Sequence, residues 1–286
     1  MQKFTVGEAW SQSIDVLQNN IGPLLLYAGG GAFLGAFVQV GIFGFNPADF
    51  SNQLQQGAAS KNLTAILSAM VPLLFGGLGA AVVSSTGQLA AMRTILAPDD
   101  DESTGSILGY SVVGALLSLL VFGAIALVAL GVVGMVLGLL GAGAVIGAGA
   151  GSSGGAAAAA GILLLAMVVI LPLLIWFGAR CWVILPAMAH ARSTNPLYGF
   201  AQSWRLSRDH QLSLIGFMLI LGVVVIVISG VIGLVGGALS AMLGSGQIAV
   251  FLSTVLTGVP QAVVGVGVSI GVFRALIPVD DGAVFS

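Results

Sequence analysis

Residues 212–236 read LSLIGFMLILGVVVIVISGVIGLVG, an apolar stretch without a single charged side chain. A helix of roughly 20 such residues crosses the ~30 Å hydrocarbon core of a bilayer, because each residue adds ~1.5 Å of rise. Of the 286 residues in the chain, 58% are hydrophobic and 6% are charged. A water-soluble domain of this composition lacks the polar side chains needed to cover its surface, so the sequence predicts an integral membrane protein.

Five further stretches pass the same test of length and polarity. All lack the alternation of barrel strands, and backbone groups in lipid must pair within their own segment, so we expect six transmembrane helices. Residues 132–161 are rich in Gly and Ala and disfavour one continuous helix, which leaves open an additional short or re-entrant segment. The windows are Ile21 to Gly44, Leu63 to Val83 or beyond, Ile107 to Gly131, Ala157 to Phe177, Leu212 to Gly236 and Ile248 to Ile270.

Two amphipathic segments precede the first and fifth spans. Thr5 and Glu8 fit a capping box, and the polar residues 1–20 do not resemble a signal peptide. Residues 5–19 are therefore predicted to form an interfacial helix, with apolar residues at helical spacing: Val6, Trp10, Ile14 and Leu17. Residues 195–211 are predicted to form a second interfacial helix, whose apolar face comprises Leu197, Phe200, Ala201 and Trp204.

Positive charges indicate the orientation, because Lys and Arg are disfavoured in translocated loops. With six spans the two termini share one side, and of the eight Lys and Arg residues only Lys61 falls on the other. The sequence therefore predicts that both termini lie in the cytoplasm. The cytoplasmic cations are Lys3, Arg93, Arg180, Arg192, Arg205, Arg208 and Arg274.

The ends of the even-numbered spans repeat a pattern of Arg, aliphatic residues and Pro. It occurs at Arg93 to Pro98, Arg180 to Pro186 and Arg274 to Pro278. Each Arg is predicted to reach lipid headgroup phosphates while its aliphatic stem stays in the apolar layer. The repetition favours three duplicated hairpins, and independent interfacial anchoring of each span is the alternative.

The two amphipathic segments also resemble each other. Ala9, Ser11 and Ile14 match Ala201, Ser203 and Leu206 in this comparison. In the second segment, Arg205 and Arg208 can bind anionic headgroups beside Trp204, each cation contributing ~1 kcal/mol near a charged leaflet. Simple anchoring of a loop is the alternative reading of this helix.

The run Ser203-Trp204-Arg205-Leu206-Ser207-Arg208 lies between a span ending in Arg and Pro and another apolar span. In this respect residues 196–221 resemble the bacterial glycerophosphoryl diester phosphodiesterase membrane-domain family and its uncharacterised six-span relatives, whose pattern is Ser-Trp-x-Leu-Thr/Ser-Arg/Lys. The resemblance implies a six-span module of the bacterial inner membrane. In that family the module is sometimes fused to a phosphodiesterase barrel, for which the segments between the spans are too short here.

Polar side chains within the spans form a candidate intramembrane cluster. Such groups are costly in lipid and face neighbouring helices or a cavity. The cluster either lines a polar passage or makes hydrogen bonds between helices, and the sequence favours the hydrogen bonds. Its members are Gln39, Gln88, Thr254, Thr257 and Gln261.

Glycines at four-residue spacing form three pairs, for which close helix packing is favoured over flexibility. They are Gly31/Gly35, Gly134/Gly138 and Gly267/Gly271.

No residue set in the sequence dictates a reaction. The single cysteine, Cys181, excludes an intramolecular disulfide and a cysteine-based metal cluster, and His190 and His210 lack a recognisable catalytic partner. We therefore expect no enzyme, no cofactor, no metal site and no nucleic-acid partner. The expected function of this single transmembrane domain, residues 1–286, is a membrane scaffold or lipid-interacting accessory module. Its expected partners are anionic lipids and a second membrane protein or copy of itself, and the alternative function is a small-solute transporter or channel.

Overall fold

The computed structural model describes residues 4–60, 63–98, 102–121, 123, 172, 175–243 and 246–277. Within these ranges the regular elements are helices and no strand occurs. The helices long and apolar enough to cross a membrane in this part of the chain are Ile21–Ile42, Met70–Leu96, Thr104–Val121, Pro196–Gly236 and Gln247–Leu276. The described part of the chain is thus helical, as predicted, and its long apolar helices are those of a multi-pass membrane protein. The predicted fourth span, Ala157 to Phe177, and the Gly/Ala-rich residues 132–161 lie almost wholly outside the described residues.

The helices of the described residues are α1 to α10 in chain order. The first span is α2, the second is the later part of α4, and α5 and α10 are two others. The remaining apolar stretch, Pro196–Gly236, runs from α8 into α9. The bounds are α1 Val6–Asn19, α2 Ile21–Ile42, α3 Pro47–Ala59, α4 Leu63–Leu96, α5 Thr104–Val121, α6 175–181, α7 Ile184–His190, α8 Pro196–Ser207, α9 Gln211–Leu243 and α10 Gln247–Leu276.

Helix α1 packs lengthwise on the last span. Its N-terminus is capped as predicted, because the Thr5 hydroxyl accepts a hydrogen bond of 3.2 Å from the Glu8 amide. Further along, Ser13 lies against Gly271, where an added Cβ would come within 2.5 Å of the Ser13 Cα, and Leu17 lies against Gly267 in the same way. The close-packing role of this glycine pair is confirmed, and its partner is α1. The interfacial location of α1 stays a prediction.

The first two spans also meet through glycine. A Cβ added at Gly31 would lie 2.9 Å from the Cα of Gly87, and one at Gly35 would lie 3.0 Å from the Ala80 carbonyl oxygen. Because lipid supplies no hydrophobic force between helices, such close approach holds them by dispersion contacts. Close packing is therefore confirmed for this pair as well, whereas Gly134 and Gly138 lie outside the described residues.

Helix α6 lies alongside α9, and α7 leads from there towards α10. Trp176 bonds to Gln211 at the start of α9, Gly178 lies near Met218, and Trp182 lines a cavity with Leu221. The chain then turns at residues 182–183, and α7 leads to His190, whose ring centroid lies 5.6 Å from that of Phe273.

The Arg, aliphatic and Pro pattern at Arg180 to Pro186 therefore does not mark the end of one continuous helix. The helix already ends at Cys181, and Pro186 lies in the first turn of α7. Proline is tolerated there because the first amides of a helix lack an intrahelical partner.

Candidate functional site

The second amphipathic segment forms α8, which is fixed closely to its neighbours. The Asn195 side chain caps the helix by accepting a 3.0 Å hydrogen bond from the Leu197 amide, and Pro196 follows at the first helical position. Gly199 then packs on α7, where an added Cβ would come within 2.5 Å of the Met188 side chain. Four residues later the buried Ser203 hydroxyl donates to the Arg180 carbonyl oxygen. These contacts bring the Trp204 side of α8 to the end of α6.

The predicted alignment of α1 with α8 does not agree with the burial of the matched residues. Ser203 is fully buried, but Ser11, which was matched with it, is exposed. The buried serine of α1 is Ser13, and its buried neighbour Ala9 corresponds to the buried Gly199. The burial patterns of the two helices therefore agree in a register shifted by two residues from the one that the sequence predicted.

Arg180 lies between two tryptophan rings. Its Cζ atom is 4.0 Å from the ring centroid of Trp204 and 4.9 Å from that of Trp176. The two indoles meet edge to face at 5.8 Å, and Phe200 stacks on Trp204 at 5.6 Å. The negative faces of aromatic rings attract a guanidinium, and the attraction strengthens as water is excluded. Arg180 is only 8% exposed, so this contact is largely desolvated.

Hydrogen bonds hold the aromatic walls in place. The Trp176 indole Nε1 donates to Oε1 of Gln211 over 3.2 Å, and Gln211 Nε2 in turn donates to the Arg208 carbonyl oxygen over 3.0 Å. Gln211 therefore links α6 with the turn that joins α8 and α9. The orientation of the rings around Arg180 is thus set by polar contacts as well as by packing.

These residues enclose what we call the Arg180 cleft, a cavity of about 410 Å³. Arg205 and Arg208 line it with exposed side chains, whereas the Nε of Arg180 is buried without a hydrogen-bond partner in the described part of the chain. No carboxylate is seen to pair with these three cations among the described residues, and the nearby Asp209 does not line the cleft. The lining residues are Arg180, Ala201, Trp204, Arg205, Arg208 and Gln211.

The arrangement is suited to an anion. Guanidinium groups bind phosphate oxygens through charge-assisted hydrogen bonds, and their fork geometry favours two bonds at once. Three such groups around one cavity, without a compensating acid in its lining, leave a local positive potential. Four of the predicted headgroup residues, Arg180, Trp204, Arg205 and Arg208, are thus brought together in one cleft.

The other two predicted headgroup residues lie elsewhere and have acidic partners. Arg93 is 5% exposed, and its Nη2 donates to Glu102 over 3.4 Å beneath the Tyr110 ring. Protein therefore encloses this guanidinium, and it does not reach lipid as predicted. Arg274 lies 3.9 Å from Asp15 on α1, and both side chains are partly accessible.

The predicted polar cluster borders a second cavity, of about 370 Å³, between α2, α4 and α10. Gln39, Gln88, Thr254 and Gln261 line it together with small residues, whereas Thr257 does not. The predicted hydrogen bonds between helices do not form at the threonines. Thr254 donates to the Val250 carbonyl oxygen over 2.8 Å and Thr257 to the Ser253 carbonyl oxygen, both within their own helix. Hydroxyls in helices often bond in this way because the carbonyl one turn earlier lies within reach.

The glutamines of this cavity behave differently from one another. Gln88 Nε2 donates to Ser84 one turn earlier over 3.3 Å, again within one helix. Gln261 Nε2 donates across to Ser229 of α9 over 3.0 Å, which is the kind of contact that the sequence favoured. We call the cavity between α2, α4 and α10 the polar cavity.

Sequence reasoning missed three residues of these sites. Trp176 stands four residues before Arg180, a spacing that places both on one helix face, and this signal was available. Gln211 and Glu102 gave no comparable signal, because their roles depend on segments that meet only in the folded chain.

Comparison of the chain with family models, with curated proteins and with solved structures finds no match. The resemblance of residues 196–221 to the phosphodiesterase membrane-domain family therefore stays a prediction. Function has to be inferred from the residues and their geometry.

Proposed function

We propose that the protein is a non-catalytic, lipid-interacting accessory module or scaffold that binds anionic headgroups in the Arg180 cleft. The observation that carries the proposal is the cleft itself: a buried Arg180 between two indoles, with Arg205 and Arg208 beside it and no carboxylate in the lining. Burying a cation is costly unless it is paired, so an anion entering the cleft is stabilised by a charge already present.

The proposed topology has six spans in three hairpins, with the basic end in the cytoplasm of a bacterial inner membrane. The placement of the cations supports this orientation. Arg208 precedes α9 and Arg274 ends the antiparallel α10, so both lie at the same end of the bundle as the Arg180 cleft. Cations concentrated at one end are typical of the cytoplasmic side, where anionic lipids attract them.

The proposal is tested by the thermal stability of the protein in nanodiscs. Adding phosphatidylglycerol to phosphatidylcholine discs should raise the melting temperature, because a ligand that binds the native state stabilises it. Replacing Arg205→Gln and Arg208→Gln together should remove most of this gain. With ~1 kcal/mol for each cation near the surface, the apparent lipid affinity should fall about 30-fold.

A matched control separates the cleft from general surface charge. Arg192→Gln removes an exposed cation that lies outside the cleft and bonds to the Ala97 carbonyl oxygen. This variant should keep most of the lipid-dependent gain. An equal gain in wild type and in the Arg205/Arg208 double variant would overturn the proposal. So would a zwitterionic lipid that raises the melting temperature of wild type as much as phosphatidylglycerol does.

The polar cavity supports a second candidate function, a small-solute transporter or channel. Its lining carries amides and hydroxyls without a charged side chain, which suits a neutral polar solute. Proteoliposomes challenged with glycerol should then shrink and reswell faster than empty vesicles. Gln88→Leu should abolish the difference, whereas Thr257→Val should preserve it because Thr257 does not line the cavity. Permeability equal to that of empty vesicles would contradict a glycerol pathway.

A further inference from the structure

An apolar groove lies between α9 and α10, on the part of α9 that follows the Arg180 cleft. It encloses about 250 Å³ and is lined mainly by aliphatic side chains. Leu221 and Val225 contribute from α9, Val264 and Val268 from α10, and Trp182 from the turn after α6. Ser229 and Gln261 also line it, but they bond to each other over 3.0 Å. A cavity of this mainly apolar composition suits a hydrocarbon chain better than a charged solute.

One polar atom of a residue that lines the groove lacks a partner. The indole Nε1 of Trp182 is buried and makes no hydrogen bond within the described part of the chain. Buried indole N–H groups normally find an acceptor, since leaving one unpaired is unfavourable. An acceptor oxygen carried by an otherwise apolar ligand would satisfy it, and the ester carbonyl at the head of an acyl chain has this chemistry.

The cleft and the groove follow each other along the same two segments of chain. Arg180 lines the cleft and Trp182, two residues later, lines the groove. On α9 the corresponding residues are Gln211 and Leu221, which are ~15 Å apart along a helix axis. One leaflet with its headgroup region is ~20 Å deep, so a single lipid reaches from the cleft into the near end of the groove.

We propose, on the basis of the function proposed above, that one anionic phospholipid occupies the cleft and the groove together. Its phosphate oxygens accept hydrogen bonds from Arg180, and its headgroup lies beside Arg205 and Arg208. An ester carbonyl accepts from Trp182 Nε1, and the attached acyl chain lies along Leu221 and Val225. A free phosphate or a soluble phosphate ester would fill the cleft alone and leave the groove without a role.

Two glycines of α10 provide a matched pair of variants. Gly265 lines the groove and Gly258 lines the polar cavity, and a Cβ added at either one meets nothing within 4 Å. Gly265→Leu should therefore fill the groove without displacing the backbone. Gly258→Leu adds the same side chain to the same helix but leaves the groove open. A Leu in place of Gly also favours the helix in both variants, so local propensity cancels in the comparison.

Tryptophan fluorescence gives the measurement, because bromine atoms on an acyl chain quench an indole that they contact. The discs contain either brominated phosphatidylglycerol or brominated phosphatidylcholine at equal mole fraction in unlabelled phosphatidylcholine. We expect stronger quenching by the anionic lipid in wild type and in Gly258→Leu. Trp182→Phe should lose most of that difference, since it removes the indole in the groove, and Gly265→Leu should lose it by excluding the chain.

The outcomes distinguish this proposal from the one on which it rests. If Gly265→Leu keeps the preferential quenching, no chain occupies the groove, although lipid-dependent stability can still depend on Arg205 and Arg208. If inorganic phosphate stabilises the protein in phosphatidylcholine discs as well as phosphatidylglycerol does, the ligand is a free phosphate and the lipid proposal fails. If wild type gains no stability from phosphatidylglycerol, both proposals fail together.

Discussion

Arg93 and Arg180 are buried to nearly the same extent, at 5% and 8% exposure, but in opposite surroundings. Arg93 faces the carboxylate of Glu102 at 3.4 Å and the Tyr110 ring at 5.0 Å. Arg180 faces two indole rings and no carboxylate within 4.0 Å among the described residues. Both begin the same Arg, aliphatic and Pro pattern in the sequence, so the pattern alone does not determine what the cation does.

The difference concerns the net charge that remains. A carboxylate neutralises a guanidinium, and the pair then acts as a fixed link between α4 and the residues before α5. Aromatic faces attract a guanidinium but leave its positive charge uncompensated. The charge of Arg93 is therefore neutralised within the protein, although its Nε, like that of Arg180, is buried without a hydrogen-bond partner among the described residues. Arg180 keeps an uncompensated charge and remains able to bind an external anion.

The largest expected effect comes from removing the acid at the first site. Glu102→Gln should lower the free energy of unfolding by about 3 kcal/mol or more, because an arginine that cannot lose its proton stays buried without a counter-charge. Denaturation of the purified protein in detergent measures this loss. Combining Glu102→Gln with Arg93→Met should recover much of the stability, since both charges are then absent. A double variant as unstable as Glu102→Gln alone would contradict the pairing.

The second prediction applies one substitution at both arginines. Arg93→Met should destabilise the protein by about 2 kcal/mol, less than Glu102→Gln does, because the carboxylate left unpaired at Glu102 is more accessible to solvent, at 13% exposure against 6% for the Arg93 side chain. Arg180→Met should change stability in detergent by less than about 1 kcal/mol, because methionine packs well on indoles and no acid is left unpaired. The same variant should lose the stabilisation by phosphatidylglycerol. Equal destabilisation by the two substitutions would end the distinction between the sites.

The third prediction concerns the hydrogen bond that fixes α8 beside Arg180. Ser203→Ala removes the hydroxyl that donates to the Arg180 carbonyl oxygen and should cost about 1 kcal/mol in stability. It should also weaken binding of phosphatidylglycerol, since the Trp204 wall is then less firmly held. Ser11→Ala is the matched control: Ser11 is exposed on α1, so this variant should change neither quantity.

Much of the fold could be predicted because lipid imposes one requirement on every span. Uncharged apolar stretches must be helices there, which explains why the windows at Ile21, Leu212 and Ile248 agree with observed helices. Local signals were equally informative, as the cap at Thr5 shows. The glycine pair Gly267/Gly271 predicted close packing, but its partner α1 could not be read from spacing alone.

The candidate sites were predictable only in part, because their residues come from segments that are distant in the sequence. Gln39 and Gln88 stand out because polar side chains are rare in apolar spans, and both line the polar cavity. Arg180 was recognised by its charge, whereas its second wall, Trp204, comes from a helix 24 residues later in the chain. The partners of a side chain depend on tertiary contacts, and the sequence pattern does not encode them locally.

The smallest expected effect falls on the third arginine of the pattern. Arg274 lies 3.9 Å from Asp15, and the two side chains are 26% and 57% exposed, so water screens the pair. Asp15→Asn should therefore change the free energy of unfolding by less than about 0.5 kcal/mol, because exposed pairs contribute little. Helix α1 packs closely on α10 at Gly267 and Gly271, so Gly271→Leu should displace it and lower stability far more than Asp15→Asn. If Asp15→Asn proved as destabilising as Glu102→Gln, solvent exposure would not explain why the Arg274–Asp15 pair contributes less stability than the Arg93–Glu102 pair.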